Sequence, residues 1–118
     1  MSWMQTPNMF ILEKFLDLTA FRQTLIASNL ANIETPGYRT LDFDFQQQLR
    51  RAEQQWGGRP EASAQEVAGL IERPDGNNVN LERESMMLAE TQLRFRIATE
   101  LLRAEVRRVR TAIHEGRG

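Results

Sequence analysis

Residues 28–45 read SNLANIETPGYRTLDFDF, and this stretch decides the course of the chain. Pro36 has no N–H and pushes Thr35 into an extended conformation, so a helix arriving from the N-terminal side must end just before it. Pro36 followed by Gly37 suits a type II turn, whose third residue needs a positive φ. The chain therefore bends sharply here, and the alternating residues 39–45 predict a short extended arm.

Two asparagines, Asn29 and Asn32, lie three residues apart in what should be the last turn of this helix. An asparagine side chain can cap the last helical carbonyls and tolerates a left-handed backbone conformation. The turn residues alone do not distinguish an ordinary end of a helix from a motif with a specific function.

Apolar residues at helical spacing predict a long N-terminal helix over residues 8–34. Ile11, Leu18 and Leu25 are seven residues apart, which is the spacing of a coiled-coil seam. The Thr-Pro pair at 6–7 suits the start of a helix, since proline fits the first helical position.

A second long helix is predicted over residues 80–114, and Asn80 can cap its start. Its apolar residues repeat every seven positions, but the complementary positions begin with Ser85, Gln92 and Thr99. A hairpin of the two helices would therefore be poorly sealed over half its length. The predicted helix-packing interface consists of Leu18, Leu25, Leu81, Leu88, Phe95, Leu102 and Val109.

The second helix carries more apolar surface than this seam. Met86, Met87, Leu93, Ile97, Ala98 and Leu101 lie outside it, and a single partner helix cannot cover them all. Two interpretations stay open, a plain antiparallel hairpin or three-helix core, and a helix that packs against other subunits. Periodicity alone favours the first.

The middle, residues 35–79, is predicted to be a turn, an extended arm and a loop. A short helix over 45–56 follows Asp44 as its cap and ends at the glycines 57–58. Residues 59–78 are mostly polar and predict a loop with one turn of helix or a small hairpin. The predicted fold is thus mainly α, with two long terminal helices in a coiled-coil-like pair.

Length and composition limit the possible functions. The chain of 118 residues allows a single domain, residues 1–118, and its net charge of -1 gives no field that would attract nucleic acid or membrane. Without cysteine it has no disulfides, thiol catalysis or thiolate metal sites. Glu13, Lys14 and Asp17 interrupt the first apolar run, which therefore predicts neither a conventional signal peptide nor a spanning helix.

No catalytic, cofactor-binding or metal-binding site is predicted. His114 is the only histidine and lies in an Arg- and Gly-rich tail. Asp42 and Asp44 could share one face of a strand, but no pocket-forming sequence surrounds them, which favours solvated or interface carboxylates. Residues 75–77 are turn chemistry, because Met86 stands where a calcium-binding EF-hand loop needs its closing Glu.

The pattern Asn-x-Ala-Asn-x-x-Thr-Pro-Gly-Tyr resembles the N-terminal signature shared by bacterial flagellar rod, hook and hook-associated axial proteins. Residues 75–84, DGNNVNLERE, resemble the start of the C-terminal helix in the proximal rod subunits of that family, and residues 39–45 resemble the segment after their Gly-Tyr turn. Residues 54–73 match nothing in that pattern, and Asn80 stands where the family often has Asp. The candidate assembly motif consists of Asn29, Ala31, Asn32, Thr35, Pro36, Gly37 and Tyr38.

This resemblance implies a structural subunit of the proximal rod of the flagellar basal body, without enzymatic activity. Such subunits are exported unfolded by the flagellar type III apparatus, without a cleaved signal, and polymerise in the periplasmic space. The implied partners are other copies of the chain, other rod proteins, the rod-base adaptor protein and the export gate. No cofactor, nucleic acid, membrane insertion or small-molecule substrate is implied. The alternative is a soluble helical-hairpin adaptor or chaperone-like binding module, which the same amphipathic helices would suit.

Overall fold

The computed structural model describes residues 5–54 and 63–117. The fold is mainly α with two long terminal helices, as predicted, and the molecule measures 70 × 25 × 19 Å. The elements in chain order are helix α1 (Pro7–Ala31), strand β1 (Leu41–Asp42), helix α2 (Phe45–Gln54), strand β2 (Gln65–Glu66) and helix α3 (Leu81–Arg117).

Helix α1 starts as its sequence predicts. The Thr6 side chain accepts a hydrogen bond of 3.1 Å from the N–H of Met9, and Pro7 is the first helical residue. The helix ends at Ala31, three residues before the predicted end. The chain then tightens into a turn in which the Thr35 N–H donates to the Asn32 carbonyl at 3.0 Å, because the residue before a proline avoids the helical conformation.

Helix α3 starts behind the predicted cap, since the Asn80 side chain accepts a 2.9 Å hydrogen bond from the N–H of Arg83. It continues to Arg117, three residues beyond the predicted end. The arginine-rich residues 107–110 are good helix formers and nothing after them breaks the helix, so His114 lies on its surface and not in a tail.

The two long helices pair antiparallel. Thr6 at the start of α1 contacts Glu105 near the end of α3, while Asn29 at the end of α1 contacts Glu84 at the start of α3. No helix among the described residues is long and apolar enough to cross a membrane.

The middle segment contains the short helix predicted after Asp44, and residues 65–66 pair with the arm and not within a hairpin of residues 59–78. β1 and β2 pair antiparallel, with Leu41 opposite Glu66, and α2 is capped by Asp44, which accepts a 3.0 Å hydrogen bond from the N–H of Gln47. The arm is regular strand over two residues only. Trp56, the glycines 57–58 and Pro60 lie outside the described residues.

The core lies where α1, α2 and the arm meet. Leu18 and Leu25 from α1 pack with Phe43 and Phe45, and the Phe15 ring meets the Phe45 ring edge-on with centroids 5.1 Å apart. This cluster holds the arm against the middle of α1. The position of the turn at residues 35–38 is therefore fixed from both sides.

Candidate assembly interface

The predicted turn forms and is backed by a second glycine turn. The N–H of Tyr38 donates to the Thr35 carbonyl at 3.2 Å, and Gly37 has φ +75°, as a type II turn requires. The Gly37 N–H donates to the Asp75 carbonyl at 2.9 Å. A Cβ atom on Gly76, which has φ +88°, would lie 3.4 Å from Gly37 Cα, so the two turns pack backbone to backbone.

Asn29 uses its whole side-chain amide to join three elements. The amide nitrogen donates to the Leu41 carbonyl at 2.9 Å and to a Glu84 carboxylate oxygen at 2.7 Å. The amide oxygen accepts from the Leu41 N–H at 3.0 Å and from the Tyr38 hydroxyl at 3.1 Å. Asn29 is fully buried. It therefore links α1, the arm and α3, a role that its position near a helix end did not predict.

The last carbonyls of α1 are capped from two directions. The Asn32 side chain donates to the Ser28 carbonyl at 2.8 Å, which confirms the predicted local cap. The Asn77 side chain, from the loop before α3, donates to the carbonyls of Asn32 at 2.9 Å and Thr35 at 2.8 Å. The end of one long helix is thereby tied to the start of the other.

Two consecutive buried asparagines hold this loop. The side-chain oxygen of Asn77 accepts from the N–H of Val79 at 2.8 Å, and that of Asn78 accepts from the N–H of Thr40 at 2.7 Å. The Asn78 N–H also donates to the Tyr38 carbonyl at 3.3 Å. Each asparagine supplies hydrogen bonds that a regular strand would otherwise supply.

Opposite charges converge beside Asn29. Asp42 lies 3.1 Å from Arg22 and 3.1 Å from Arg83, and Arg83 also contacts the fully buried Glu84 at 2.5 Å. Of the two predicted alternatives, a solvated or an interface carboxylate, the first is wrong for Asp42, because two arginines from different helices pair with it within the chain. Asp44 points away and is exposed as the α2 cap.

The predicted assembly motif divides into buried and exposed parts. Asn29 is buried, and Asn32 and Tyr38 are half-buried. The exposed part forms the tip of the molecule and consists of Ala31, Thr35, Pro36 and Gly37. Its role in contacts between subunits stays a prediction.

The residues of the predicted helix-packing interface occupy three environments. Leu18 and Leu25 are buried in the core of the chain itself. Leu81 and Phe95 are 58% and 43% exposed. The others, Leu88, Leu102 and Val109, are half-buried.

Helix α3 turns a different seam toward α1. Glu84, Thr91 and Ala98 are buried, and Glu105 is half-buried; these four are seven residues apart. This inner seam lies about 50° around the helix from the predicted seam that starts at Leu81. Sequence periodicity could not distinguish the two, because both repeat every seven residues.

One flank of α3, next to its contact with α1, carries exposed apolar residues. Met86, Leu93, Ile97 and Leu101 are each at least half exposed, and we call them the outer stripe. A groove of about 200 Å³ runs beside Ile97 and Leu101 and is closed on its other side by Leu12 from α1. Such a groove can hold an apolar side chain of a neighbouring protein.

Polar contacts are sparser at the other end of the helix pair. Glu105 accepts a hydrogen bond from Arg108 at 2.6 Å and one from Thr6 at 3.1 Å. The bond from Arg108, with that from Thr6, lowers the pKa of the Glu105 carboxyl below its ordinary 4.5. Within the part of the chain that the structure describes, no three His, Cys, Asp or Glu side chains come together as metal ligands.

Comparison with known proteins gives consistent relatives. The flagellar basal body rod protein FlgB of Cereibacter sphaeroides is 33% identical over 83% of this chain and 87% of its own length. FlgB of Yersinia enterocolitica is 27% identical, and FlgB of Salmonella typhimurium is 26% identical; each alignment spans 88% of this chain and 91% of the relative. A comparison with models of protein families finds no match.

Proposed function

The chain belongs to the family of the flagellar basal body rod protein FlgB, and on that premise we propose that residues 1–118 form one structural subunit of the proximal rod. The subunit assembles with copies of itself and with other axial proteins through its two terminal helices. At the rod base it contacts the adaptor protein and the export gate. It reaches the periplasmic space unfolded, through the type III apparatus and without a cleaved signal.

The main support for this proposal is the exposed outer stripe. A side chain such as Leu93 or Ile97 gains about 1.5–3 kcal/mol when it moves from water into a fully buried contact. Four such residues lie in a row on α3, next to a groove that also accepts apolar atoms. Neighbouring helices that cover this row would stabilise an assembly far more than they would stabilise the lone chain.

The architecture also suits export in an unfolded state. The chain has no cysteine, so refolding requires no disulfide formation. Much of the structure is helix, whose contacts are local in sequence and form quickly. A subunit of this kind can refold at the assembly site without delay.

One observation favours a second candidate, the helical-hairpin adaptor. The contacts Thr6–Glu105 and Asn29–Glu84 close α1 and α3 into a pair within one chain. An adaptor of this kind would place a single partner helix over the outer stripe and would form stable dimers that do not grow. Sedimentation over a wide range of concentrations separates the two, because a rod subunit gives species of increasing size.

The test of the rod function changes the outer stripe without changing the fold. Ile97→Asp and Leu101→Asp place charges on exposed positions of α3, and Gln92→Asp is the matched control at an exposed polar position on the same helix. Each variant is expressed in cells that lack the native gene. We expect basal bodies without rods and no swimming for the first two, and normal rods for the control.

Circular dichroism of each purified variant should give the helical content of the native chain. Normal rods in cells that carry both Ile97→Asp and Leu101→Asp would contradict the proposal.

A further inference from the structure

We propose that Asn29 and Glu84 form a positioning latch that sets the rotation of α3 about its own axis. The latch keeps the seam of Leu81 and Phe95 exposed, and the use of that seam in assembly rests on the proposed function. Asn29 and Glu84 act through the helix and are not themselves contact residues, since both are fully buried.

Hydrophobic burial alone would select another rotation. The inner seam of α3 contains Glu84, Thr91 and Ala98, which are polar or small. The seam about 50° away contains large residues, among them Leu81 and Phe95, which stay substantially exposed. Turning that seam toward α1 would remove more apolar surface from water, so another interaction must oppose the turn.

The latch supplies that interaction. The Glu84 carboxylate has no exposed surface and is held by the Asn29 amide at 2.7 Å and by Arg83 at 2.5 Å. Arg83 is in turn fixed by Asp42 at 3.1 Å. A rotation by one heptad position would withdraw Glu84 from Asn29 and leave a buried carboxylate and a buried amide without partners, which is strongly unfavourable.

The position of the latch makes it effective along the whole helix. Glu84 lies in the first turn of α3, directly after the loop whose asparagines fix where the helix starts. Because an α-helix keeps about 3.6 residues per turn, rotation fixed at Glu84 is also fixed at Ala98, about four turns later. Leu81 and Phe95 stay exposed as a consequence.

Two reporter cysteines measure this rotation in the isolated chain, which has no cysteine of its own. Ile97 is 50% exposed and its neighbour Ala98 is 2% exposed, so Ile97→Cys should react quickly with a maleimide and Ala98→Cys slowly. The ratio of the two labelling rates reports rotation. A loss of stability also raises the slow Ala98→Cys rate and lowers the ratio, so Phe95→Cys, at a position that is 43% exposed, is measured beside them: unfolding cannot slow its labelling, whereas rotation toward α1 does.

We expect Glu84→Leu to reduce this ratio at least about tenfold, because the helix is then free to turn its large residues inward. Glu84→Gln keeps an oxygen that accepts from Asn29 and should preserve the ratio within about twofold. Glu90→Leu, at an exposed position on the same helix, is the matched control and should also preserve it.

An unchanged ratio in Glu84→Leu, or a ratio that falls equally in Glu90→Leu, would overturn the proposal. If Glu84→Leu does not fold, Glu84→Asp serves instead, because it keeps the charge but shortens the reach, and the ratio should fall at least about threefold. An unchanged ratio in that variant would overturn it as well. The assay involves no assembly, so a negative result would refute the latch without affecting the proposed rod function. Conversely, evidence against the rod function would not affect the latch.

Discussion

The two ends of the helix pair are built in different ways. The junction, residues 29–42 and 73–84, is held by buried polar side chains such as Asn29, Asn77 and Glu84. The remainder of the pair, residues 6–28 and 85–117, runs to a distal end at which Thr6 contacts Glu105, and it exposes large apolar side chains such as Met86, Leu93 and Leu101. Directional hydrogen bonds fix one geometry, whereas apolar contacts tolerate several. The junction thus specifies the geometry of the chain, and the remainder of the pair leaves apolar surface exposed.

Hydrogen exchange should give the largest contrast between the two regions. The amides of Thr40, Leu41 and Val79 donate to buried asparagine side chains, although none lies in a helix. We expect them to exchange on the order of a hundredfold more slowly than the amides of residues 111–116 in α3. Mass spectrometry after peptic digestion measures both. Faster exchange in the loops than in the helix end would reverse the comparison.

Substitution of matched asparagines should give the next largest effect. Asn29→Ala leaves the Glu84 carboxylate and the backbone groups of Leu41 without their partner, and we expect a loss of about 3–5 kcal/mol in the free energy of unfolding. Asn8→Ala removes an exposed asparagine from the distal end of the same helix and should change it by less than about 0.5 kcal/mol. Urea unfolding followed by circular dichroism measures both. Equal losses would mean that the junction is not the stabilised end.

Substitution of two glycines with similar backbone angles distinguishes the effect of backbone strain from an effect on assembly. Gly37→Val forces a β-branched residue into φ +75° and should cost about 1–3 kcal/mol, although its Cβ would meet nothing within 4 Å. Gly69→Val imposes the same kind of strain at φ +82° in an equally open place outside the junction. We expect similar losses of stability but loss of swimming only for Gly37→Val. Normal swimming with Gly37→Val would contradict the assigned role of the turn.

A smaller change should stabilise the protein. The side-chain oxygen of Gln48 is buried in α2 without a hydrogen-bond partner in the described structure. Gln48→Met removes this oxygen at nearly constant volume and should raise the free energy of unfolding by about 1 kcal/mol. Gln47→Met, at the exposed neighbouring position, should leave it nearly unchanged. Thermal unfolding of the two variants measures the difference, and a lower midpoint for Gln48→Met would be the contrary result.

The smallest effect concerns pH at the distal end. Hydrogen bonding from Arg108 and Thr6 lowers the pKa of Glu105 in the folded chain. The ionised carboxylate therefore makes its full contribution to folding stability above its pKa in the unfolded chain, 4.5. This contribution is lost as the pH falls through the lower pKa that Glu105 has in the folded chain. The difference in melting temperature between the native chain and Glu105→Gln should therefore shrink between about pH 6 and about pH 3. A difference that grows on acidification would refute the assignment.

Local features of the fold could be predicted from the sequence. The Thr6 and Asn80 caps, the positive φ of Gly37 and the short helix after Asp44 all depend on residues within a few positions of each other. Their chemistry is decided by neighbours along the chain, so a single sequence contains the necessary information.

Contacts between distant residues could not be predicted in this way. The partners of Asn29 are known only when the rotation of α3 is known, and two heptad seams were available for that helix. The pairing of Arg22 and Arg83 with Asp42 likewise needs three elements in place. One feature of the sequence could have indicated the contact with Asn29: a polar residue such as Glu84 on a buried helix seam requires a polar partner on the facing element.

The antiparallel course of α1 and α3 brings the first and last described residues to the same pole of a molecule 70 Å long, while Pro36 occupies the opposite pole. A donor dye near Arg117 and an acceptor dye at Pro36 therefore mark opposite poles of each copy. In the proposed assembly, energy transfer between differently labelled copies would tell whether neighbouring molecules point the same way. The relative orientation of neighbouring copies could thus be measured with two dyes.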